Sequence, residues 1–347
     1  LLLFMNTQLY AENTNNAGPQ IRFTVSMNDP ASQQFEVMVE CMGFPDSLLI
    51  LKMPVWTPGY YQRMKFADNL SAFRALDKNG TELTWEKTDS ITWTVKKSKS
   101  SPVYISYRVK ASRPFVATSF LNEERGYIMP ASILLYVKGK TGIPAELTIR
   151  PYKEWNNVAT GLDTVKGKRF TYRAPDFDIL YDSPILIGNL TELPVFYVKG
   201  IPHRFIAFKP GSFDHQLLIS DLKKVIETAT DLIGHIPYKH YTFIGIGPGQ
   251  GGIEHLNSTS FAFDGSQYGK HESRLRLLAF LTHEYFHHYN VKRIRPVELG
   301  PFDYENGNRT RQLWISEGLT VYYEYLIMRR AGLINDEELL EFLRSNI

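Results

Sequence analysis

The 347-residue sequence contains a single cysteine, no long hydrophobic run and almost no excess of either charge. Because Cys41 has no second cysteine to pair with, an internal disulfide is excluded, and so is a zinc site built from cysteines. No run of about 18 consecutive apolar residues occurs, so we expect no membrane-spanning segment. The net charge of +3 is too small to indicate a nucleic-acid-binding protein. Any metal would have to be held by histidine and carboxylate side chains.

The length of the chain suggests two domains, and its hydrophobic content of 43% and charged content of 22% are ordinary for a globular protein. A chain of this length buries a large core without disulfides. The opening stretch LLLFMNTQLYAEN resembles the end of a signal-peptide apolar region, with Ala11 as a small residue at the cleavage point. We therefore expect residues 1–18 to be a signal-peptide remnant or a disordered tail. The corresponding prediction is a periplasmic or secreted protein, with a cytoplasmic one as the alternative.

The first half of the chain has the pattern of a β-rich domain. Short runs of β-branched and aromatic residues, such as IRFTVSM and VYISYRV, are separated by turn signals such as NDP and DKNG. This spacing predicts an antiparallel domain over residues 19–199, built as a sandwich or a saddle-like sheet. No long helix is expected before residue 213.

Residues 200–347 change to a mixture of helical and strand patterns, so the whole chain is predicted to be an α+β multidomain protein. The stretch DHQLLISDLKKVIETATDLIG places apolar residues at helical spacing and ends on Gly234. We predict strands over 241–247 and within IEHLNSTSFAF, and helices over 214–234, over 272–293 and from near 311. Asn335 and Glu338 form a capping box at the start of a last helix.

Three of the nine histidines fall within six positions, in the stretch LTHEYFHHYN of the predicted helix 272–293. An α-helix turns by about 100° per residue, so His283 and His287 lie about 40° apart on one face. His288 lies about 140° from His283 and is predicted to be a surface or packing residue. Glu284 completes the pattern H-E-x-x-H, in which two imidazoles bind zinc and the carboxylate reaches the activated water. The alternative is an amphipathic helix with buried, hydrogen-bonded histidines.

A catalytic zinc site needs a third protein ligand and leaves a fourth position for water. Glu317, within LWISEGLTVYYEY on the next predicted helix, is the candidate, and the predicted cofactor is one zinc ion per chain. Glu324 lies seven residues later on the same helix face. It is placed to accept a hydrogen bond from the far nitrogen of a zinc-bound histidine. An ordinary surface glutamate is the alternative for Glu324.

Four stretches together resemble the glycyl aminopeptidase family of gluzincin metallopeptidases, and the resemblance extends over about residues 20–345. They are MPVWTPGYYQRMKFADNLSAFRALDKNG, GGIEHLNS, HEYFHHYNVKRIRP and LWISEGLTVYYEY. The resemblance implies a thermolysin-like α/β catalytic domain behind the β-rich domain, with zinc on His283, His287 and Glu317 and with Glu284 as the catalytic carboxylate. It also implies removal of N-terminal residues from peptides, Gly and Ala being favoured. Family members usually continue into a helical region and a PDZ domain, so residues 200–347 are expected to be an incomplete catalytic domain.

The stretch GQGGIEHLNS is predicted to bind the substrate. Gly251 and Gly252 would let the backbone approach a bound peptide closely. Glu254, on a predicted edge strand beside the cleft, is the natural partner for a free α-ammonium group, because a charge-assisted hydrogen bond contributes about 1.5–3 kcal/mol. Related aminopeptidases carry a glutamate at the matching place. The alternative for Glu254 is a solvent-exposed carboxylate at a strand edge.

A zinc aminopeptidase acting on peptides is therefore the favoured function, and two alternatives stay open. A zinc endopeptidase would share every metal ligand, and a non-catalytic peptide-binding module would use the β-rich half. Such a module has no chemical need for Glu284. Related gluzincins also use a tyrosine well beyond the zinc-binding glutamate to stabilise the transition state. Tyr322 and Tyr323 fit core packing better, so neither is assigned that role.

Overall fold

The computed structural model describes residues 18–345, so the predicted signal-peptide remnant lies outside the described residues except for Gly18. Within this range, no helix combines the length and the apolar composition that crossing a membrane requires. The first part of the described chain contains strands β1–β15 and a short helix, α1 (Phe177–Tyr181). The strands are Gln20–Ser26, Gln34–Met42, Leu48–Lys52, Leu70–Leu76, Trp85–Lys87, Thr92–Lys96, Val103–Lys110, Phe120–Leu121, Arg125–Ile128, Tyr136–Val137, Ala145–Arg150, Asn157–Thr160, Asp163–Thr164, Thr171–Ala174 and Ile185–Gly188.

These strands form three sheets, as expected for a β-rich N-terminal domain. The largest has the order β13-β14-β11-β1-β2-β7-β4, and two four-stranded sheets have the orders β10-β3-β6-β5 and β12-β15-β9-β8. Neighbouring strands are antiparallel except for β1 and β11, which are parallel. Alternate residues of β1 and β2 are buried, so one face of this hairpin belongs to the core. The predicted antiparallel, β-rich domain is confirmed.

The second part contains strands β16–β21 around one sheet, with four helices. The strands are Thr191–Glu192, Phe196–Val198, Ile201–Ala207, Tyr241–Gly245, Gly252–Glu254 and Ser258–Phe261, and the helices α2–α5 are His215–Ile233, His271–Phe286, Leu313–Arg330 and Asp336–Ser345. The sheet has the order β16-β18-β19-β21-β20, and β17 also pairs with β18. Strand β20 is an edge strand, as predicted for the segment that carries Glu254. Both β16 and β17 join this sheet, so the change of sheet comes near residue 190, before the predicted boundary near 200.

Local signals predicted three helix ends correctly and a fourth incorrectly. Helix α2 begins after Asp214, whose side chain accepts from the Leu217 backbone N–H, and ends at the left-handed Gly234. Residues Asn335 and Glu338 form the predicted capping box, with reciprocal bonds of 2.8 and 2.9 Å. Helix α3, however, ends at Phe286, so the prediction that it continues to residue 293 was wrong.

The early end of α3 has a tertiary cause. Beyond Phe286 the chain turns back, and Lys292 N donates to the His287 carbonyl at 3.0 Å. The Arg293 guanidinium donates to the carbonyls of Leu256, His288 and Pro237 at 2.7–3.1 Å. These carbonyls belong partly to segments far along the chain, so the turn depends on packing that helical periodicity does not encode.

The connection between α3 and α4 anchors the second part of the protein on the first. Tyr304 is buried among residues of the N-terminal core, and its hydroxyl donates to Asp178 at 2.7 Å. The Val55 backbone N–H donates to the Tyr304 carbonyl at 2.9 Å, and the Trp56 indole donates to the Asp303 carbonyl at 2.7 Å. The segment after β3 and the segment before α4 are thereby held together beside the candidate site.

Candidate metal centre

Helices α3 and α4 bring the three predicted metal ligands together. The Nε2 atoms of His283 and His287 are 2.9 Å apart, and Glu317 Oε2 lies 3.5 and 3.4 Å from them. Among the described residues, this is a set of donor atoms that lie within 4.8 Å of one another and could hold an ion. His287 keeps its place on the ligand face although it lies at the C-terminal end of α3, because it still has right-handed helical backbone angles.

The other ring nitrogen of each histidine is fixed by a hydrogen bond. His283 Nδ1 donates to Glu324 Oε2 at 2.6 Å, and His287 Nδ1 donates to the Asn290 carbonyl at 2.8 Å. Glu324 is buried, so it is not the ordinary surface carboxylate that was its alternative. These bonds place a proton on each Nδ1, so that the two Nε2 atoms are the ones that face each other and can bind a cation between them.

The charges of the site also fit a cation. Burial opposes the protonation of His283, but hydrogen bonds to Glu317 and Glu324 outweigh it and raise the pKa of His283 to about 10. Burial likewise opposes ionisation of Glu317, yet hydrogen bonds from His283 and His287 lower its pKa to about 2. The same negative potential favours a divalent ion on two imidazoles and a carboxylate, and this donor set suits zinc.

Glu284 is buried beside the candidate ligands and packs against β20. A Cβ atom added to Gly252 would lie 2.9 Å from Glu284 Cδ and 2.7 Å from Phe280 Cζ. Gly252 is therefore needed for the approach of α3, whereas the sequence had suggested an approach of substrate. Burial and the nearby charge of Glu254 raise the pKa of Glu284 to about 7. Gly251 has a positive φ of 87°, a backbone conformation that favours glycine.

Glu254 lies near Glu284 and is only 6% exposed, so the alternative of a solvent-exposed strand-edge residue does not hold. A segment of the N-terminal domain covers it: a Cβ added to Gly59 would lie 3.3 Å from each carboxylate oxygen of Glu254 and 2.7 Å from Ile253 Cγ2. Gly59 has a φ of 93°. Tyr61, from the same segment, lies close enough to Glu254 and Glu317 that their negative charges, together with burial, raise the pKa of its hydroxyl.

A buried polar network beside Glu254 joins the two parts of the protein. Asp182 accepts from Lys292 Nζ at 2.6 Å, from His255 Nδ1 at 3.0 Å and from the Leu256 backbone N–H at 2.8 Å. Burial disfavours the charge on Asp182, but the Lys292 ammonium and His255 outweigh it and hold the pKa of the carboxyl below its usual value. The network holds both β20 and the turn after α3 against the N-terminal domain.

The remaining residues singled out in the sequence lie outside the metal centre. His288 is fully buried and donates from Nδ1 to the Tyr285 carbonyl, so it is a packing residue rather than a surface one. Tyr323 stacks on Phe286 with ring centroids 4.8 Å apart, as expected for core packing. The same prediction was wrong for Tyr322, which is 54% exposed.

Sequence reasoning missed Tyr61, Asn290 and Asp182 as neighbours of the site. The turn Pro58-Gly59 followed by two tyrosines lay within a stretch that resembled the family, and this was the available signal for Tyr61. Asn290 contributes mainly through a backbone carbonyl, which any residue would supply, and Asp182 has no distinctive local pattern.

Two family models of metallopeptidase domains match this chain. Residues 22–189 match the model of the peptidase M61 N-terminal domain, and residues 276–347 match the M61 glycyl aminopeptidase model. No curated protein matched the chain.

Several solved structures also have a fold similar to that of this chain. The aminopeptidase N family protein from Idiomarina loihiensis is 30% identical with a TM-score of 0.86, over 92% of this chain and 56% of that protein. This chain therefore spans little more than half of that protein's length. The M1 zinc metallopeptidase from Deinococcus radiodurans is 14% identical (TM-score 0.50, 91% of this chain and 71% of that one). Aminopeptidase A from Legionella pneumophila is 12% identical (TM-score 0.55, 89% and 37%). The last two similarities concern the fold alone.

Proposed function

Because the chain belongs to the M61 glycyl aminopeptidase family, we propose that it is a zinc-dependent aminopeptidase that removes N-terminal residues from peptides. The observation that carries the proposal is the position of Glu254. Its carboxylate is buried, and it lies close enough to Glu284 to raise the pKa of that residue. A buried carboxylate next to a candidate metal centre is a suitable partner for the α-ammonium group of a substrate.

The roles of the residues follow from their positions. His283, His287 and Glu317 would hold one zinc ion, which supplies an activated water nucleophile and polarises the scissile carbonyl when it is bound. Glu284 takes a proton from the attacking water and delivers it to the leaving amine. Glu254 binds the α-ammonium group and so fixes which peptide bond reaches Glu284. Glu324 and the Asn290 carbonyl keep the two imidazoles oriented.

The shape of the cleft favours an exopeptidase over an endopeptidase. An endopeptidase must admit chain on both sides of the scissile bond, but here the segment with Gly59 and Tyr61 covers Glu254. Tyr61 also borders a cavity of about 430 Å³ that is lined by Trp56, Arg309 and Leu313. The crowding around Glu254 supports the proposed preference for small N-terminal residues such as Gly and Ala.

The test compares alanine p-nitroanilide with its N-acetylated form as substrates of the zinc-loaded protein. We expect cleavage of the free amine only. Glu254→Gln should lower kcat/KM by about 10–150-fold, the loss of one charge-assisted hydrogen bond, and should retain zinc. Glu284→Gln should retain zinc and lower kcat by about 10²–10⁴-fold.

Glu272→Gln is the matched control, because Glu272 lies on the same helix as Glu284 but is exposed. It should leave both kcat and KM unchanged. Efficient cleavage of the acetylated substrate by the parent protein would overturn the aminopeptidase proposal and favour an endopeptidase.

A further inference from the structure

The end of β20 is attached to the N-terminal domain immediately after Glu254. Asp182, which follows α1 in that domain, accepts from His255 Nδ1 at 3.0 Å through Oδ1 and from the Leu256 backbone N–H at 2.8 Å through Oδ2. Both carboxylate oxygens are therefore used, and they bind two consecutive residues. Such a two-point attachment fixes the orientation of the backbone after Glu254 as well as its position.

The same carboxylate also binds the turn after α3. Lys292 Nζ donates to Asp182 Oδ1 at 2.6 Å, and each of these side chains is only 4% exposed. The Lys292 backbone N–H donates to the His287 carbonyl at 3.0 Å, and His287 Nδ1 donates to the Asn290 carbonyl at 2.8 Å. One buried carboxylate thus connects the backbone beside Glu254 with the turn that orients a candidate metal ligand.

The ring of His255 is held on both of its nitrogen atoms. It is fully buried, and while Nδ1 faces Asp182, Nε2 lies 3.4 Å from Ser260 Oγ on β21. Ser260 Oγ is in turn 2.8 Å from the hydroxyl of Tyr127, which belongs to β9 of the N-terminal domain. The residue that follows Glu254 is therefore fixed between the two domains.

The energy of this network does not by itself explain why the chain contains it. Taking charges out of water is costly, and replacing a buried ion pair by apolar residues is often neutral or stabilising. The network does, however, define a geometry. An aminopeptidase needs a fixed geometry, because a single Cα atom separates the α-ammonium group of its substrate from the scissile carbonyl. A misplacement of about 1 Å can cost about 10²-fold in rate.

Building on the proposed aminopeptidase function, we propose that Asp182 and His255 are positioning residues that fix the distance between the Glu254 carboxylate and the metal centre. Both act through Glu254 rather than by touching the substrate. They hold the end of β20 so that an α-ammonium group reaches Glu254 while the adjacent carbonyl lies at the metal centre. The N-terminal domain thereby takes part in the choice of the scissile bond.

The experiment measures the binding of three hydroxamates by calorimetry on the zinc-loaded full chain. Alanine hydroxamate has an α-amine, β-alanine hydroxamate places the amine one methylene further from the metal-binding group, and N-acetylalanine hydroxamate has no free amine. The ratio of the affinities for alanine hydroxamate and β-alanine hydroxamate reports the distance between Glu254 and the metal centre. A general loss of stability does not change this ratio. Zinc content is measured for every variant.

The variants separate positioning from a merely structural role. His255→Leu removes the donor to Asp182, whereas His255→Asn is the conservative variant, because the asparagine Nδ2 can donate from the position of the histidine Nδ1. His203→Leu is the matched control. His203 is also fully buried in the same sheet, but on β18, and its ring bonds the Ile201 carbonyl at 2.9 Å and the Tyr238 hydroxyl at 2.8 Å. Asp182→Asn is a larger perturbation of the same network, and His255→Leu decides the question if that variant does not fold.

For the parent protein we expect alanine hydroxamate to bind at least about tenfold more tightly than either other probe, as a hydrogen bond to a charged group allows. His255→Leu should weaken alanine hydroxamate by about tenfold and bring the ratio close to one. It should retain zinc and should bind N-acetylalanine hydroxamate within about twofold of the parent value. His255→Asn and His203→Leu should keep the ratio within about twofold of the parent, and Asp182→Asn should lower it at least as much as His255→Leu.

Several results would overturn the positioning role: an unchanged ratio or loss of zinc in His255→Leu, an equal fall in His203→Leu, or no rescue by His255→Asn. A parent protein that prefers the free amine but binds alanine and β-alanine hydroxamates equally would do so too. A parent protein that does not prefer alanine hydroxamate over its acetylated form would instead refute the proposed aminopeptidase function, and the positioning role with it.

Discussion

Asp182→Asn tests how strongly the buried charge network holds the two domains together. The substitution keeps the shape of the side chain but removes its charge from beside the Lys292 ammonium, whose side chain is only 4% exposed. Removing one partner of a buried ion pair costs about 3–5 kcal/mol. We expect the free energy of unfolding to fall by at least about 3 kcal/mol. The asparagine oxygen can still accept the hydrogen bond from Lys292 Nζ, but its NH2 group then faces the Leu256 backbone N–H, which loses its acceptor.

Urea unfolding followed by circular dichroism measures this loss. With a denaturant dependence of about 3 kcal/mol per M, the midpoint should fall by at least about 1 M. Asp231→Asn is the matched control, because Asp231 pairs with Lys199 at 2.5 Å while its side chain is 70% exposed. An exposed pair contributes about 0–1 kcal/mol, so the control midpoint should move little. Equal, small shifts in both variants would refute the argument that burial makes the Asp182 pair important.

The Asp182–Lys292 ion pair also predicts that the free energy of unfolding falls in acid. The pKa of Asp182 is lowered in the folded protein, whereas an unfolded aspartate titrates near about 3.9. Between these values the unfolded state binds a proton that the folded state does not, so the contribution is complete above about pH 4 and is lost as the pH falls through the folded pKa. The difference in urea midpoint between the parent and Asp182→Asn should therefore shrink below about pH 4. A difference that grows on acidification would contradict this sign.

Two further predictions concern the metal centre. His287→Ala should reduce the zinc content from about one ion per chain to a small fraction, since two ligands hold the ion poorly. His288→Asn should keep the zinc but lower the free energy of unfolding, because the buried His288 ring faces away from the site. If metal analysis found that His287→Ala and His288→Asn both lose zinc, the proposed ligand set would be wrong. Gly252→Ala should displace Glu284, whose Cδ lies 2.9 Å from the added Cβ, and should lower kcat with zinc retained. Gly318→Ala is the control and should leave kcat unchanged, because a Cβ added there meets no atom within 4 Å among the described residues. Equal kcat values for Gly252→Ala and Gly318→Ala would argue against the steric explanation.

Several features of the metal centre could be predicted from local sequence because they depend on one helix or one turn. The spacing of His283 and His287 fixes their angular separation wherever the helix packs. The side chains of Asp214 and Asn335 bond backbone groups within three residues, so these helix starts also follow from local chemistry. Glu317 could be proposed only in combination with the upstream histidine pattern, since its own segment does not indicate which helix it faces.

The roles of other residues depended on contacts between distant segments. Local pattern placed Glu254 on an edge strand, but its burial arises from the segment around Gly59 and Tyr61 of the other domain. The helical-face argument separated His288 from the metal but left open whether it lies at the surface or in the core.

The sequence by itself determined the β-rich character of the first half, the caps of α2 and α5, and the face of α3 that carries His283 and His287, because residues a few positions apart interact in the same way in any fold. Only the tertiary structure decided that α3 ends at Phe286, that Glu284 packs on Gly252 and that Tyr61 reaches Glu254. These contacts join residues far apart in the chain, and their geometry is set by how the sheets and helices pack together. Periodicity describes one element at a time and carries no information about its partners.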